Sequence, residues 1–365
     1  MIERFIDPEK IEADSECIEM SPLFLGERVR DGRRFRGFEL VEAGEVDEEG
    51  VEIAGECEDR IGLHVIAEGI SDDSAQAIES LFSEVLGRMK GVEYRFRREN
   101  VVIIVSMDSA DSFTPECVGE TIFRTVKSIK AVNKVKVRIV CDKDEFEKVL
   151  ERASEIHAER EMRSRNLAER DVQEFFICES CKAYLPYHAC IITPERPSPC
   201  GTLYTEAKSA SELETVSYYS PVEKGEVVDA EKGEYSGVNE EIERRTESRV
   251  RGVKIHSVLE NPPLTGNFAE AIVFYIPERD GFGIADRNYR RKTPIGLRFA
   301  EMEKFILGTQ VEGFVGISFA YMKSKGFLKG EGGWKRVVWV SPKIYEFIKG
   351  FLPDEILKNI STEKE

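Results

Sequence analysis

The stretch RIGLHVIAEGISDDSAQAIESLFSEVLGRMKG, residues 60–91, sets the fold class of the first half of the chain. Gly62–Ala67 is an apolar run of strand length. After it, Ala77, Ile78, Leu81, Phe82, Val85, Leu86 and Met89 recur at the i, i+3/i+4 spacing of one helical face. Ser71 or Asp72 is placed to cap that helix and Gly91 to stop it. Outward from there, Val92–Arg97 and Val101–Ser106 read as two strands joined by a short polar turn. Thr114–Pro115 opens a second helix, with proline tolerated in its first turn. Val118, Ile122, Val126 and Ile129 line its buried face. Val135, Val137, Ile139 and Cys141 then alternate with Lys136 and Arg138 as in a half-buried strand. The order β-α-β-β-α-β predicts a ferredoxin-like, split βαβ domain over residues 56–143.

The flanks complete an α+β chain. Residues 1–55 are acidic, glycine-rich in their second half, and expected to be an irregular N-terminal segment. Residues 144–171 are charged, with Phe146, Val149, Leu150, Ala153 and Ile156 on one face, and read as a helical connector. Residues 172–365 are expected to form an α+β domain. Its strands are expected at Val253–Val258, Ala271–Ile276, Phe314–Phe319 and Arg336–Val340, with a helix from about Pro342.

The chain has 365 residues, which suits two domains better than one core. Its net charge of −17 argues against a nucleic-acid partner. The local basic run Arg28, Arg30, Arg33, Arg34 and Arg36 reads as a solvated face, or else as a dock for an anionic ligand. No apolar run approaches the roughly 18 residues a membrane helix needs, and Met1–Asp7 has no apolar signal core, so a cytoplasmic protein is expected. Neither a phosphate-binding glycine loop nor a serine nucleophile elbow occurs. His64, His157 and His256 are isolated and read as core or surface residues. Asp280, Glu301, Glu303 and Glu312 have no neighbouring base or metal ligand in the sequence.

Of eight cysteines, Cys17, Cys57, Cys117 and Cys141 are scattered, and Cys117 and Cys141 fit core positions. In a reducing compartment disulfides are not expected. The other four, Cys178, Cys181, Cys190 and Cys200, crowd into 23 residues. Clustered thiolates are ligands for zinc or for an iron–sulfur cluster. Cys178-x2-Cys181 is one two-thiolate turn, but the second pair is spread over a nine-residue loop, unlike the second knuckle of a zinc ribbon. That spacing favours the four corners of a [4Fe–4S] cube, with structural zinc as the alternative. Phe175, Phe176, Ile177, Tyr184, Leu185 and Tyr187 can form a dry shell, and Pro194, Pro197 and Pro199 stiffen the loop before Cys200. His188, between the ligands, reads as a partly buried polar residue.

The spacing Cys178-x2-Cys181-x8-Cys190-x9-Cys200 resembles the active-centre segment of acetyl-CoA synthase, the β subunit of the archaeal acetyl-CoA decarbonylase/synthase complex. The runs from Gly26 to Arg30, Ile192 to Pro194, Glu231 to Asn239, Ile272 to Pro277, Gln310 to Phe314 and Gly332 to Trp334 resemble the family too. The resemblance implies CO-methylating acetyl-CoA synthase activity, joining a methyl group from a corrinoid iron–sulfur protein, carbon monoxide and coenzyme A. It implies carbon monoxide dehydrogenase and corrinoid protein subunits as partners, and coenzyme A as an anionic ligand. It implies a [4Fe–4S] cube bridged to a proximal nickel, which is linked through a Cys-Gly-Cys tripeptide to a distal nickel. By position Cys181 matches the bridging ligand, and Tyr184 falls where the family has a phenylalanine beside the proximal metal.

One departure separates this chain from that pattern. The tripeptide belongs just before Glu270, where this sequence reads Leu264-Thr-Gly-Asn-Phe-Ala269, and no cysteine follows Cys200. Thr265, Gly266, Asn267 and Phe268 supply no thiolate, so the square-planar dinickel site is expected to be lost. The expectation is a cluster-binding homologue without the full condensation activity. The alternatives are an active synthase drawing nickel ligands from elsewhere, and a non-catalytic structural or electron-transfer subunit.

Overall fold

The computed structural model describes residues 28–95, 101–178, 190–213, 219–260, 270–308 and 311–362. They fall into two compact units divided between Met162 and Arg163, with a short stretch from Ser209 joining the first.

The first unit is built on a six-stranded sheet. Its elements are β1 (Gly32–Ala43), β2 (Gly50–Ala54), β3 (Arg60–Glu68), α1 (Asp72–Leu86), β4 (Val92–Arg95), β5 (Val101–Ser106), α2 (Pro115–Lys127), β6 (Lys134–Val140) and α3 (Lys143–Asn166). The helices start where the sequence places caps. Ser71 accepts from the Ser74 N–H, and Thr114 accepts from the Cys117 N–H with Pro115 next in line. Each cap contributes about 1 kcal/mol. The Asp142 carboxylate receives the Asp144 and Glu145 N–H groups at the start of α3. Helix α1 ends at Leu86 with Gly87 as its cap, one turn before the expected Gly91.

The elements β3-α1-β4-β5-α2-β6 occur in the expected order, but the sheet order is β2-β6-β3-β1-β5-β4. Strand β1 runs parallel to β3 and antiparallel to β5, and so lies between two strands that a four-stranded ferredoxin-like sheet would pair. Over the described residues 28–55, a twelve-residue strand in the middle of the sheet replaces the irregular run of short strands and turns expected there. The run GRRFRGFELVEA carries arginines and glutamates, yet Phe35, Phe38, Leu40 and Val41 are buried. Phe38 and Leu40 meet Phe146 and Ala153 of α3 on one face of the sheet. Beyond Gly37, β1 has outrun β5, so its outer edge needs other partners. The Val41 N–H donates to Glu79 Oε1 at 2.7 Å, and Arg160 Nη2 donates to the Val41 carbonyl at 2.6 Å. Arg160 also donates to Glu79 at 2.8 Å, and His157 stands 3.1 Å from the other Glu79 oxygen. Side chains thus replace the missing strand, as a buried backbone requires.

A second correction concerns the cysteines. Cys57 and Cys141 form a disulfide, with Cα atoms 4.9 Å apart. Strands β2 and β6 are parallel neighbours, so their C-terminal ends emerge side by side. The Cys141 and Asp142 N–H groups both donate to the Ala54 carbonyl, which brings the two cysteine-bearing segments together.

Among the described residues the second unit holds a three-stranded sheet, a four-stranded sheet, a two-stranded hairpin and their helices. The elements are β7 (Glu174–Cys178), β8 (Cys190–Ile192), α4 (Tyr204–Glu212), β9 (Tyr219–Glu223), β10 (Val227–Asp229), β11 (Glu234–Tyr235), α5 (Ser236–Arg245), β12 (Ala271–Ile276), β13 (Gly281–Asp286), α6 (Phe299–Gly308), β14 (Phe314–Ile317), α7 (Phe319–Met322), β15 (Val337–Val340), α8 (Pro342–Ile348) and α9 (Asp354–Leu357). One sheet has the order β8-β7-β9 and another β14-β12-β13-β15, with a β10-β11 hairpin between them in sequence. Expected strands at 271–276, 314–319 and 336–340 and the helix from Pro342 are present. The expected strand Val253–Val258 is not. That segment is buried but irregular, and its Ile255 and His256 N–H groups donate to the Gly233 and Lys232 carbonyls.

Candidate metal centre

Strand β7 carries the first site residue at its end. Side chains alternate along a strand, so Phe175 and Ile177 share one face and Phe176 and Cys178 the other. Phe175 packs edge-on against Tyr235, with ring centroids 5.0 Å apart, and Phe176 lies against Tyr204 of α4 at 5.4 Å. Phe175, Phe176 and Ile177, the described residues of the expected dry shell, are buried.

Cys178 is opposite Cys190 of β8 in the antiparallel ladder, and opposite Tyr219 of β9 on its other side. Residues directly opposed across antiparallel strands project from the same face, with Cβ atoms about 5 Å apart. Cys190, Cys178 and Tyr219 therefore form one row across three strands. Both cysteines are buried, at 5% exposure each.

Cys200 is exposed, and hydroxyl groups surround it. Its sulfur lies 3.0 Å from Ser198 Oγ and 3.5 Å from Thr202 Oγ1. Thr202 Oγ1 is in turn 3.4 Å from the Tyr219 hydroxyl. Burial pushes the Tyr219 phenol well above the usual tyrosine range, and the negative charges of Cys178, Glu206 and Cys200 push it further. Tyr219 is thus linked to Cys178 by register and to Cys200 through Thr202. Two buried thiols in register, a third nearby and an apolar wall suit a thiolate-ligated cluster. Cys181, Tyr184, Leu185, Tyr187 and His188 lie outside the described residues, as do Thr265, Gly266, Asn267 and Phe268.

Residues 157–364 match the family model for the C-terminal region of the ACS/CODH beta subunit. Over 370 residues the chain is 36% identical to acetyl-CoA decarbonylase/synthase complex subunit beta 2 of Methanocaldococcus jannaschii, covering 95% of this chain and 79% of that protein. The chain belongs to this beta-subunit family. Subunit beta 1 of the same organism is also 36% identical over 95% of this chain, which spans 50% of that longer protein. The beta subunit of Methanopyrus kandleri is 35% identical, covering 95% of this chain and 80% of that one.

Within this family member, the other sequence candidates resolve into structural roles. The basic run is partly spent on its neighbours. Arg33 donates to the Cys57 and Glu58 carbonyls, and Arg36 pairs with Glu147 at 2.8 Å. Asp280 bonds Tyr275 and Arg336, Arg287 reaches Glu303, and the Arg298 N–H reaches Glu301. His64 pairs with Glu42, and His157 with Glu79, in buried positions. No described helix is long and apolar enough to cross a membrane.

His256 is core, as one of its expected roles had it, but it is not isolated. Its Nε2 lies 3.0 Å from Glu169 Oε1, and its Nδ1 lies 3.1 Å from the Tyr321 hydroxyl. Glu169 also accepts from Thr193 Oγ1 at 2.5 Å and from the Tyr235 hydroxyl at 2.6 Å. Burial alone would raise the Glu169 carboxyl. The His256 charge and the bonds from His256, Thr193 and Tyr235 overcome it and hold the group at about 2. Glu195 brings a further oxygen within 4.8 Å of these groups. Sequence reading missed this network because its bonded partners are separated by up to 87 residues and carry no spacing signal.

Proposed function

We propose that this chain holds a [4Fe–4S] cluster on Cys178, Cys181, Cys190 and Cys200, and serves acetyl-CoA metabolism as a beta-type subunit without the dinickel site. The observation that carries the reading is the Cys178–Cys190 register pair, backed by Cys200 and the Tyr219 hydroxyl. Bound there, the cluster would supply one-electron chemistry and a sulfur-ligated metal surface. Phe175, Phe176, Ile177 and Tyr204 exclude water behind the thiols. Ser198 and Thr202 are placed to donate to the Cys200 sulfur, and such bonds tune a cluster's potential.

The residues present do not fit the family's nickel pair. The tripeptide position supplies no thiolate, and this sequence has no cysteine after Cys200. Among the described residues of the first unit, Cys57 and Cys141 are committed to each other and Cys117 is buried in α2. Both facts support the reading without nickel over an active synthase that borrows ligands from those cysteines. The reading therefore assigns the subunit to electron transfer or to scaffolding beside carbon monoxide dehydrogenase and corrinoid protein subunits, not to joining methyl, carbonyl and coenzyme A. A carbonyl-exchange assay on nickel-supplied protein tests this. No exchange above a metal-free control is expected, and robust exchange would restore the synthase reading.

A further inference from the structure

We infer that Tyr219 is a positioning residue for the cluster: its hydroxyl holds Thr202 against Cys200, and the Thr202 hydroxyl, beside that of Ser198, raises the cluster's reduction potential at this one ligand. The role rests on the cluster reading above and adds to it a residue that binds no metal itself.

Cys200 is presented by a turn, not by a strand. The Ser198 N–H donates to the Thr202 carbonyl at 3.0 Å, and the Gly201 N–H donates to the Ser198 carbonyl at 2.9 Å. The Thr202 N–H donates to Ser198 Oγ at 2.8 Å. Pro199 has its φ fixed by its ring, and Gly201 has φ +102°, a value glycine adopts without a Cβ penalty. Three bonds thus close residues 198–202 around the Cys200 sulfur.

A cluster-bound thiolate carries no proton and can only accept. Ser198 Oγ lies 3.0 Å from the sulfur and already accepts the Thr202 N–H, so its own proton is left for the sulfur. Thr202 Oγ1 lies 3.5 Å from the same sulfur and 3.4 Å from the Tyr219 hydroxyl. A threonine hydroxyl has one proton, so a Thr202 that donates to the sulfur accepts from Tyr219. The donors then run from Tyr219 to Thr202 to Cys200, with Ser198 meeting them at the sulfur.

Tyr219 is placed for this by β9, where it stands opposite Cys178. It therefore ties the ligand on the turn to the strand row that carries two others. Ser198 is 1% exposed and Thr202 8%, so water has little access to replace either hydroxyl, although Cys200 itself is exposed. Cys178 and Cys190 are packed within an apolar cluster instead. Donors aimed at a thiolate favour the more negative, reduced state, which raises the potential.

The test loads the full chain anaerobically with iron and sulfide, as wild type, Thr202→Val, Tyr219→Phe and the double variant. Valine and phenylalanine keep the shape and remove the hydroxyl. Ser198 is left unchanged because its oxygen also holds the Thr202 N–H. Iron and sulfide per chain are measured first, and the midpoint potential then by a titration followed by electron paramagnetic resonance. Wild-type loading is expected in every variant. Thr202→Val should lower the one-electron reduction constant about three- to tenfold, tenfold being about 59 mV. Tyr219→Phe should lower it too, and the double variant should go no lower than Thr202→Val, because the phenol acts through Thr202. An unmoved potential in Tyr219→Phe would overturn the role. Shifts that add in the double variant would also overturn it, by putting the phenol on the cluster directly. So would loss of iron from Tyr219→Phe, which would make the residue part of the scaffold. Wild-type protein that takes up no iron would remove the cluster reading and this role with it, whereas full loading with equal potentials would remove this role alone.

Discussion

Cys178 and Cys190 stand opposite each other on one face of the β7–β8 ladder, so two thiols are set side by side before any metal arrives. A ligand pair fixed by strand register loses little entropy on binding. Replacing either residue by serine should therefore abolish most of the iron bound, while the buried apolar neighbours keep the unit folded. Iron per chain together with far-UV circular dichroism checks this. Undiminished iron in Cys190→Ser would remove β8 from the site.

The Cys57–Cys141 link closes a separation of 84 residues. By loop entropy alone it contributes about 4.5 kcal/mol. Thiol titration of unfolded protein should give two more thiols after reduction than before. Cys57→Ser should lower stability by about 2–4 kcal/mol in urea. An unchanged midpoint would mean that the bond adds nothing to the first unit.

The depressed carboxyl of Glu169 makes a pH prediction. Its folded value, about 2, lies below the ordinary 4.5. The stability it contributes is therefore complete above the ordinary value and is lost as pH falls from there towards the folded one. Glu169→Gln should cost about 3 kcal/mol near neutral pH, as removing one member of a buried pair does. The gap from wild type should close as the pH drops through that window. Urea unfolding along a pH series measures it, and a gap independent of pH would contradict the ion pair.

At the open edge of β1, Arg160 serves both Glu79 and the Val41 carbonyl. Arg160→Met should destabilise the protein by about 3 kcal/mol, because it leaves a buried carboxylate and a buried carbonyl short of donors. Amide exchange at Val41 should quicken in parallel. A loss below about 0.5 kcal/mol, the surface-substitution range, would show that the edge is satisfied in another way.

Local pattern made most of the first unit readable. The apolar spacing of α1, the Thr114–Pro115 start of α2 and the alternation in β6 are short-range signals that tertiary packing reinforced. Strand β1 was hidden because its arginines and glutamates break the alternation, and its burial comes from α3, more than a hundred residues onward. Val253–Val258 looked like a strand because burial and strand propensity favour the same residues, yet its backbone is spent on the turn at Gly233. Of the candidate centre, the thiols were legible from spacing and the Cys178–Cys190–Tyr219 row was not, since register is a property of paired strands. The Glu169–His256 pair joins residues distant in sequence, and only the fold brings them together.

Metal analysis tests most directly whether the thiols hold a cluster without nickel. Protein purified anaerobically from cells supplied with iron and nickel should contain about four iron and four sulfide per chain and no stoichiometric nickel. A single zinc ion, or nickel at one or two per chain, would contradict the account.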